Sequence, residues 1–313
     1  MNLDLTGKTA VVCGSTQGIG YASAQELAML GANVVLIARN EEKLKTVAAS
    51  LSTKEGQAHR WIVADFAHPQ SVQEAIDTFC ENNKAHILVN NTGGPDPGPA
   101  MDADIEAFRI AFNSHLICNH ILVKALVPGM KELGYGRIIN VISTSVKQPL
   151  PNLGVSNTIR GAVASWSKTL AMELGRFNIT VNNVLPGATE TGRLEQIMKN
   201  KATKIGTTSE NVKHEMSEEV PMKRLAKPEE IASAIAFLAT PAASYINGIN
   251  VPVDGGRTLS VFNFFYESCN IDPCAKYQLH FAHTPDTVKL TSFMVYLRGS
   301  LKSGTTFSRQ VTS

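Results

Sequence analysis

Apolar residues over the first 256 positions follow two alternating rhythms. Short runs, apolar almost throughout, occur at TAVVC (9–13), NVVLIA (33–38), WIVAD (61–65), HILVN (86–90), RIINVIS (137–143), ITVNNVLP (179–186) and INVPVD (249–254). Between them lie segments of helical length at 19–30, 41–51, 70–82, 116–132, 157–175 and 229–239. A strand that is apolar on both sides of its pleat belongs in a sheet covered on both faces, the usual setting of parallel strands. Pro69 and Pro228 stand where a first helical turn tolerates a missing N–H. Strands alternating with helices in this way predict an α/β fold: a Rossmann-type, doubly wound, parallel seven-stranded sheet in three αβα layers. Its ligand crevice should lie beyond the carboxyl ends of the strands.

Two stretches fall outside the rhythm. Residues 200–222, NKATKIGTTSENVKHEMSEEVPM, are polar and lie between the sixth and seventh strands. They read either as a solvated loop or frayed helix, or as a lid over the crevice. Residues 257–313 sustain neither pattern and read as an unrelated, poorly ordered extension after a domain spanning 1–256, or as a docking arm. Cys269, Cys274, His280 and His283 lie there at spacings that match no familiar zinc arrangement, so no metal is expected.

Composition narrows the class. The chain has 313 residues, 43% hydrophobic and 18% charged, with a formal net charge of +2, which argues against a dedicated nucleic-acid surface. No uninterrupted apolar run approaches ~18 residues, so no membrane span is expected. The first residues lack the basic and apolar regions of a secretory leader, and Cys13, Cys80 and Cys118 lie in apolar segments as reduced thiols would. The expected location is the cytoplasm.

Candidate chemistry begins after the first strand, at CGSTQGIG (13–20). Gly14, Gly18 and Gly20 let the chain turn tightly and bring backbone N–H groups to a pyrophosphate, and the helix opening at Ile19 adds its positive end. Ser15 and Gln17 complete the loop. At the end of the second strand, LIARN places Arg39 where an acidic residue would select NAD. A guanidinium there suits the 2′-phosphate of NADP(H). Asp65, closing the third strand, is a candidate for the adenine amino group. NNTGG (90–94), with Asn91 and Gly93, lets the backbone pass close to the adenosine ribose.

These residues resemble the short-chain dehydrogenase/reductase family over 1–256. CGSTQGIG is similar to its T-G-x-x-x-G-x-G loop with Cys13 in place of threonine, and NNTGG is similar to its N-N-A-G. PGATET (186–191) is similar to P-G-x-x-x-T, which implies that Pro186 and Gly187 lead to Thr191 at the nicotinamide carboxamide. PEEIASAIAFLATPAASYINGINVPVDGG is similar to the closing helix and strand. The nearest type is the 3-oxoacyl-acyl-carrier-protein reductase of fatty acid synthesis. That implies a small-molecule carbonyl or alcohol substrate, no nucleic acid or membrane partner, and a homodimer or homotetramer.

The family's chemistry uses a serine after strand five, a tyrosine thirteen residues on, a lysine four further, and an asparagine on the preceding helix. Ser143 matches the serine, whereas Ser156 stands at the tyrosine position, Arg160 at the lysine and His115 at the asparagine, with Asn113 two residues away. A serine hydroxyl is a far weaker acid than a tyrosine of pKa ~10. Losing a positioned acid slows proton transfer by about 10²–10⁴-fold. The resemblance implies that Arg160 keeps a positive charge near the nicotinamide ribose and so a part in cofactor binding, but it cannot cycle its proton. His115, with an ordinary pKa of ~6.5, would suit a proton relay. Two functions follow: an NADP(H)-dependent oxidoreductase with an atypical site, or a non-catalytic NADP-binding redox sensor or partner subunit. Val163, Trp166 and Leu170, at helical spacing, would serve a subunit interface or the core.

Overall fold

The computed structural model describes residues 1–259. Seven parallel strands form one sheet in the order β3-β2-β1-β4-β5-β6-β7. They are β1 (Thr9–Cys13), β2 (Asn33–Ala38), β3 (Arg60–Val63), β4 (Ile87–Asn90), β5 (Gly136–Val141), β6 (Ile179–Pro186) and β7 (Asn250–Val253). The reversal of strand order between β1 and β4 creates the crevice at which such sheets bind ligands. Central strands are buried throughout, as their unbroken apolar runs require. β3 departs from that expectation: it is an edge strand, and Trp61 and Val63 are exposed.

Helices cover both faces. They are α1 (Gly18–Met29), α2 (Glu41–Ser50), α3 (Pro69–Asn82), α4 (Ile105–Phe112), α5 (Cys118–Glu132), α6 (Gly154–Leu174), α7 (Gly192–Ile205), α8 (Ser209–Glu218) and α9 (Pro228–Ala239). One core layer joins α1 and α9 to the sheet through Leu27, Val34, Leu36, Ile231 and Ile235. The other joins α3, α5 and α6 through Ile76, Leu122, Leu126, Met130 and Leu170. Val163 is fully buried against Ile142 and Leu185, and Trp166 packs on both neighbouring clusters, so these positions serve the core.

One expectation sharpens. Residues 200–222, expected as a solvated loop or frayed helix or as a lid, hold the end of α7, all of α8 and the short connections after each. Ile105–Glu132 forms one helical segment long and apolar enough by composition to cross a membrane; the inner face of its α5 part, Cys118, Leu122, Leu126 and Met130, packs on the sheet. A π-helical turn, Asn113–Ile117, interrupts it between α4 and α5. The chain divides into two units, Met1–Phe264 and Phe265–Ser313. The extension, with its cysteines and histidines, lies outside the described residues from position 260 onward. Cys13, Cys80 and Cys118 are free thiols, and the described residues hold no cluster suited to a metal ion.

Candidate active site

The glycine loop closes because three side chains are missing. Gly14 and Gly18 have φ of 59° and 55°, in the left-handed region. A β-carbon on Gly20 would lie 2.2 Å from the Gly14 carbonyl oxygen and 2.6 Å from Asn91 Nδ2. Asn91 in turn donates to the carbonyls of Cys13 (3.2 Å) and Gly14 (3.4 Å), tying the ends of β1 and β4 together. Helix α1 starts after an extended Gln17 with no side-chain cap and no acidic residue in its first turn. By contrast α2, α4, α7 and α8 are capped by Asn40, Asp104, Thr191 and Thr208. An uncapped helix start behind a cradle that any β-carbon would fill fits a pyrophosphate. Ile19 packs toward the core behind this cradle. Ser15 differs from expectation: it is buried, and its N–H and Oγ both point to the Ile37 carbonyl, at 3.5 and 3.4 Å. Its side chain therefore braces the loop on β2 instead of facing a ligand.

At the adenosine end, the Arg39 side chain is 76% exposed, and its Nε lies 4.0 Å from Asp65 Oδ1. Such a loose pairing leaves the guanidinium open to a phosphate. Asp65 Oδ1 accepts from the Ala67 N–H, and a β-carbon on Gly93 would meet nothing within 4 Å. At the other end, Gly187 follows Pro186 and donates its N–H to Val253. Thr191 accepts from the Leu194 N–H through Oγ1, and its methyl would lie 3.1 Å from a β-carbon on Gly18. The chain leaving β6 thus folds against the glycine loop. Thr191 still has its hydroxyl hydrogen to donate.

The chemical residues come from four elements. Ser143 follows β5, half-buried, and its Oγ accepts from the Ser145 N–H at 3.1 Å, which leaves its own O–H free to donate. Ser156 lies half-buried in the first turn of α6, and Arg160 one turn further on. Arg160 is 8% exposed. Its Nη1 donates to the Val141 carbonyl at 3.0 Å and its Nη2 reaches the Thr92 carbonyl at 3.5 Å. Burial, with repulsion from Arg193, lowers its pKa to about 10, so it remains charged at neutral pH.

His115, in the π-helical turn, is fully buried, with Nδ1 2.5 Å from Thr92 Oγ1. Burial, then the charges of Arg160 and Arg193, hold its pKa well below 6.5. The imidazole is therefore neutral at neutral pH, which corrects the expectation of an ordinary titrating relay. Asn113 is half-buried in the same turn.

Two residues escaped the sequence reading. Thr92 bridges His115 and Arg160, through its hydroxyl to one and its carbonyl to the other. Its signal was a hydroxyl where the family motif carries alanine, in a chain that also replaces the asparagine with histidine. Arg193, two residues past Thr191, donates to the Pro95 carbonyl beside Arg160. A cavity of about 410 Å³ runs along the neighbouring loop, bounded among others by Gly94, Asp96, Asp102, Ile110 and Val155. A larger one, about 520 Å³, lies by Glu190, Lys213, Arg224 and Glu230 and is lined by none of the candidate cofactor or catalytic residues.

A family model described as "Enoyl-(Acyl carrier protein) reductase" matches residues 14–258. The chain belongs to the short-chain dehydrogenase/reductase family. The NADPH-dependent reductase BacG of Bacillus subtilis is 30% identical over 259 residues, 82% of this chain and 100% of that protein. The oxidoreductase YvaG of the same organism is 34% identical, over 84% of this chain and 100% of its own. The crystal structure of L-sorbose reductase from Gluconobacter frateurii, complexed with NADPH and L-sorbose, aligns with a TM-score of 0.78 at 33% identity, covering 83% of this chain and 100% of that one. This short-chain dehydrogenase/reductase is an oxidoreductase whose cofactor is NADP(H), and the uncapped start of α1 and the exposed Arg39 fit that cofactor.

Proposed function

We propose that this protein reduces the carbonyl of a small ketone with NADPH, and does so without a tyrosine acid. The observation that carries the reading is a buried, permanently charged Arg160 one helical turn from Ser156, beside an intact glycine cradle. NADPH, when bound, supplies the hydride that adds to the carbonyl carbon. Ser143 donates its free O–H to the carbonyl oxygen. Arg160 opposes the negative charge that builds on that oxygen, and because its guanidinium holds its protons near neutrality, its role is electrostatic. Ser156 offers a second hydroxyl, and water delivers the proton that completes the alcohol. A fixed donor of this kind contributes about 10²–10³-fold in rate. His115, neutral and hydrogen-bonded to Thr92, fixes the turn that carries Arg160's carbonyl partner.

The resemblance to 3-oxoacyl-acyl-carrier-protein reductases supports 3-oxoacyl thioesters and ketones of similar size as substrates. Ile105 and Ile110 on α4 and Met172 on α6 leave an apolar surface exposed, which supports a homodimer or homotetramer. Assembly of this kind in the cytoplasm completes the reading. The test is NADPH oxidation by the full chain against acetoacetyl thioesters, diketones, ketoses and oxo acids, beside a direct NADPH titration. Turnover of any member of the panel is expected. Tight NADPH binding without turnover would favour a sensor or partner subunit, and no binding would remove both readings.

A further inference from the structure

Arg160 and Arg193 bring two guanidinium groups to one point in space. A β-carbon on Gly94 would lie 3.5 Å from Arg193 Nη2, 3.6 Å from its Nε and 3.7 Å from Arg160 Nη2. Burial, then the charge of Arg193, lowers the proton affinity of Arg160, burial lowers that of Arg193, and neither forms an ion pair with a carboxylate among the described residues. Asp96 is the acidic neighbour that partly offsets Arg193. The backbone carbonyls of Val141, Thr92 and Pro95 take some of the N–H groups, but a carbonyl brings no net charge. Two adjacent cations, one buried and one half-buried, are costly without an anion.

The position of Arg193 sharpens the point. It sits in the first turn of α7, where the helix dipole disfavours a cation and favours an anion. Position 94 faces both forks at once, since a β-carbon there would touch each at ordinary contact distance. The pair also adjoins Ser156, one turn from Arg160 on the same face of α6, which puts it beside the residue at the acid position.

We propose that Arg193, together with the charge of Arg160, holds a carboxylate of the substrate, so that the protein acts on a small oxo acid rather than a neutral ketone. This rests on the reductase reading above and narrows its substrate class. Arg193 supplies a two-pronged donor to the carboxylate, while Arg160 faces both that group and the reacting oxygen.

The test compares 2-oxobutanoate, acetoacetate and levulinate with their methyl esters on the full-length protein, wild type and Arg193→Gln. Calorimetric binding to the NADP⁺ complex and kcat/KM with NADPH are both read. At least one acid is expected to bind ~10-fold or more tightly than its ester, with the preference abolished in Arg193→Gln and partly kept in Arg193→Lys. In turnover, the same loss should appear in KM for the acid and leave the ester unchanged. Equal binding of acids and esters by wild type would overturn the proposal. So would an Arg193→Gln variant that loses NADP⁺ affinity ~10-fold or more while keeping its acid preference, since Arg193 would then serve the cofactor. If neither these compounds nor the wider panel above are turned over, the reductase reading fails, and the binding comparison still decides the carboxylate site.

Discussion

A guanidinium at 8% exposure is tolerated only when its N–H groups and its charge are both answered, and Arg160 answers the first with backbone carbonyls alone. The lysine that the family motif places here is a compact point charge; arginine is a planar fork with a charge that persists. His115 titrates low first because it is buried and then because the charges of Arg160 and Arg193 face it, so it binds no proton near neutrality. Its ordinary pKa, near 6.5, applies to the unfolded chain. The unfolded state therefore takes up the proton first as pH falls. The stabilisation is fully present above about pH 6.5 and declines below it, by at most ~1.4 kcal/mol per pH unit for one such group. His86, also held low by burial and by Lys8, acts in the same direction. Chemical denaturation at about pH 7.5 and 5.5 should show a smaller loss in His115→Asn than in wild type. An equal loss would place the titration elsewhere.

Elements set where these residues stand. The loop after β4 grips the start of α6 by a bridge between Gly98 and Leu153, with N–H bonds from Gly98 to Asn152 (2.7 Å) and from Gly154 to Gly98 (3.0 Å). A β-carbon on Gly154 would lie 2.3 Å from the Ala100 backbone nitrogen. Gly154→Ala should push this loop from α6, displace Ser156 and Thr92 together, and lower kcat/KM ~10-fold or more with a loss of ~1–3 kcal/mol in stability. Unchanged kinetics would mean that the grip is incidental to the site. The strands and the helices α1, α2, α3, α6 and α9 were legible from apolar rhythm to within about three residues. α7 and α8 were not, because they bury little beyond Met198, Ala202 and Val212 in a small satellite cluster. Their caps, Thr191 and Thr208, and the left-handed Gly206 carried the signal instead. The segment 116–132 matches α5 to within two residues, whereas α4, ahead of the π-helical turn at Asn113–Ile117, did not show in the apolar rhythm. The cofactor cradle was readable because glycine spacing is local in sequence. The approach of Arg160 and Arg193 was not, since it brings α6 and α7 together at the loop after β4, over 33 residues of sequence.

At the scale of the molecule, the sheet, both helical layers and all the site residues lie within Met1–Phe264. Arg257 pairs with Glu219, and the Thr258 N–H binds Asp254 Oδ2 at 2.8 Å. A chain ended after Phe264 should keep the thermal midpoint and NADPH affinity of the full protein. In both, NADPH at ~100 times its Kd should add about 2.7 kcal/mol to stability. A truncated chain that loses either property would give the extension a part in the fold or the cofactor site. The central claim, that Ser143 and a fixed Arg160 charge replace the tyrosine acid, is tested most directly by single-turnover NADPH oxidation in wild type and Ser143→Ala. The expected result is a fall of ~10²–10³-fold in the oxidation step with NADPH affinity unchanged. A Ser143→Ala protein that oxidises NADPH as fast as wild type would contradict it.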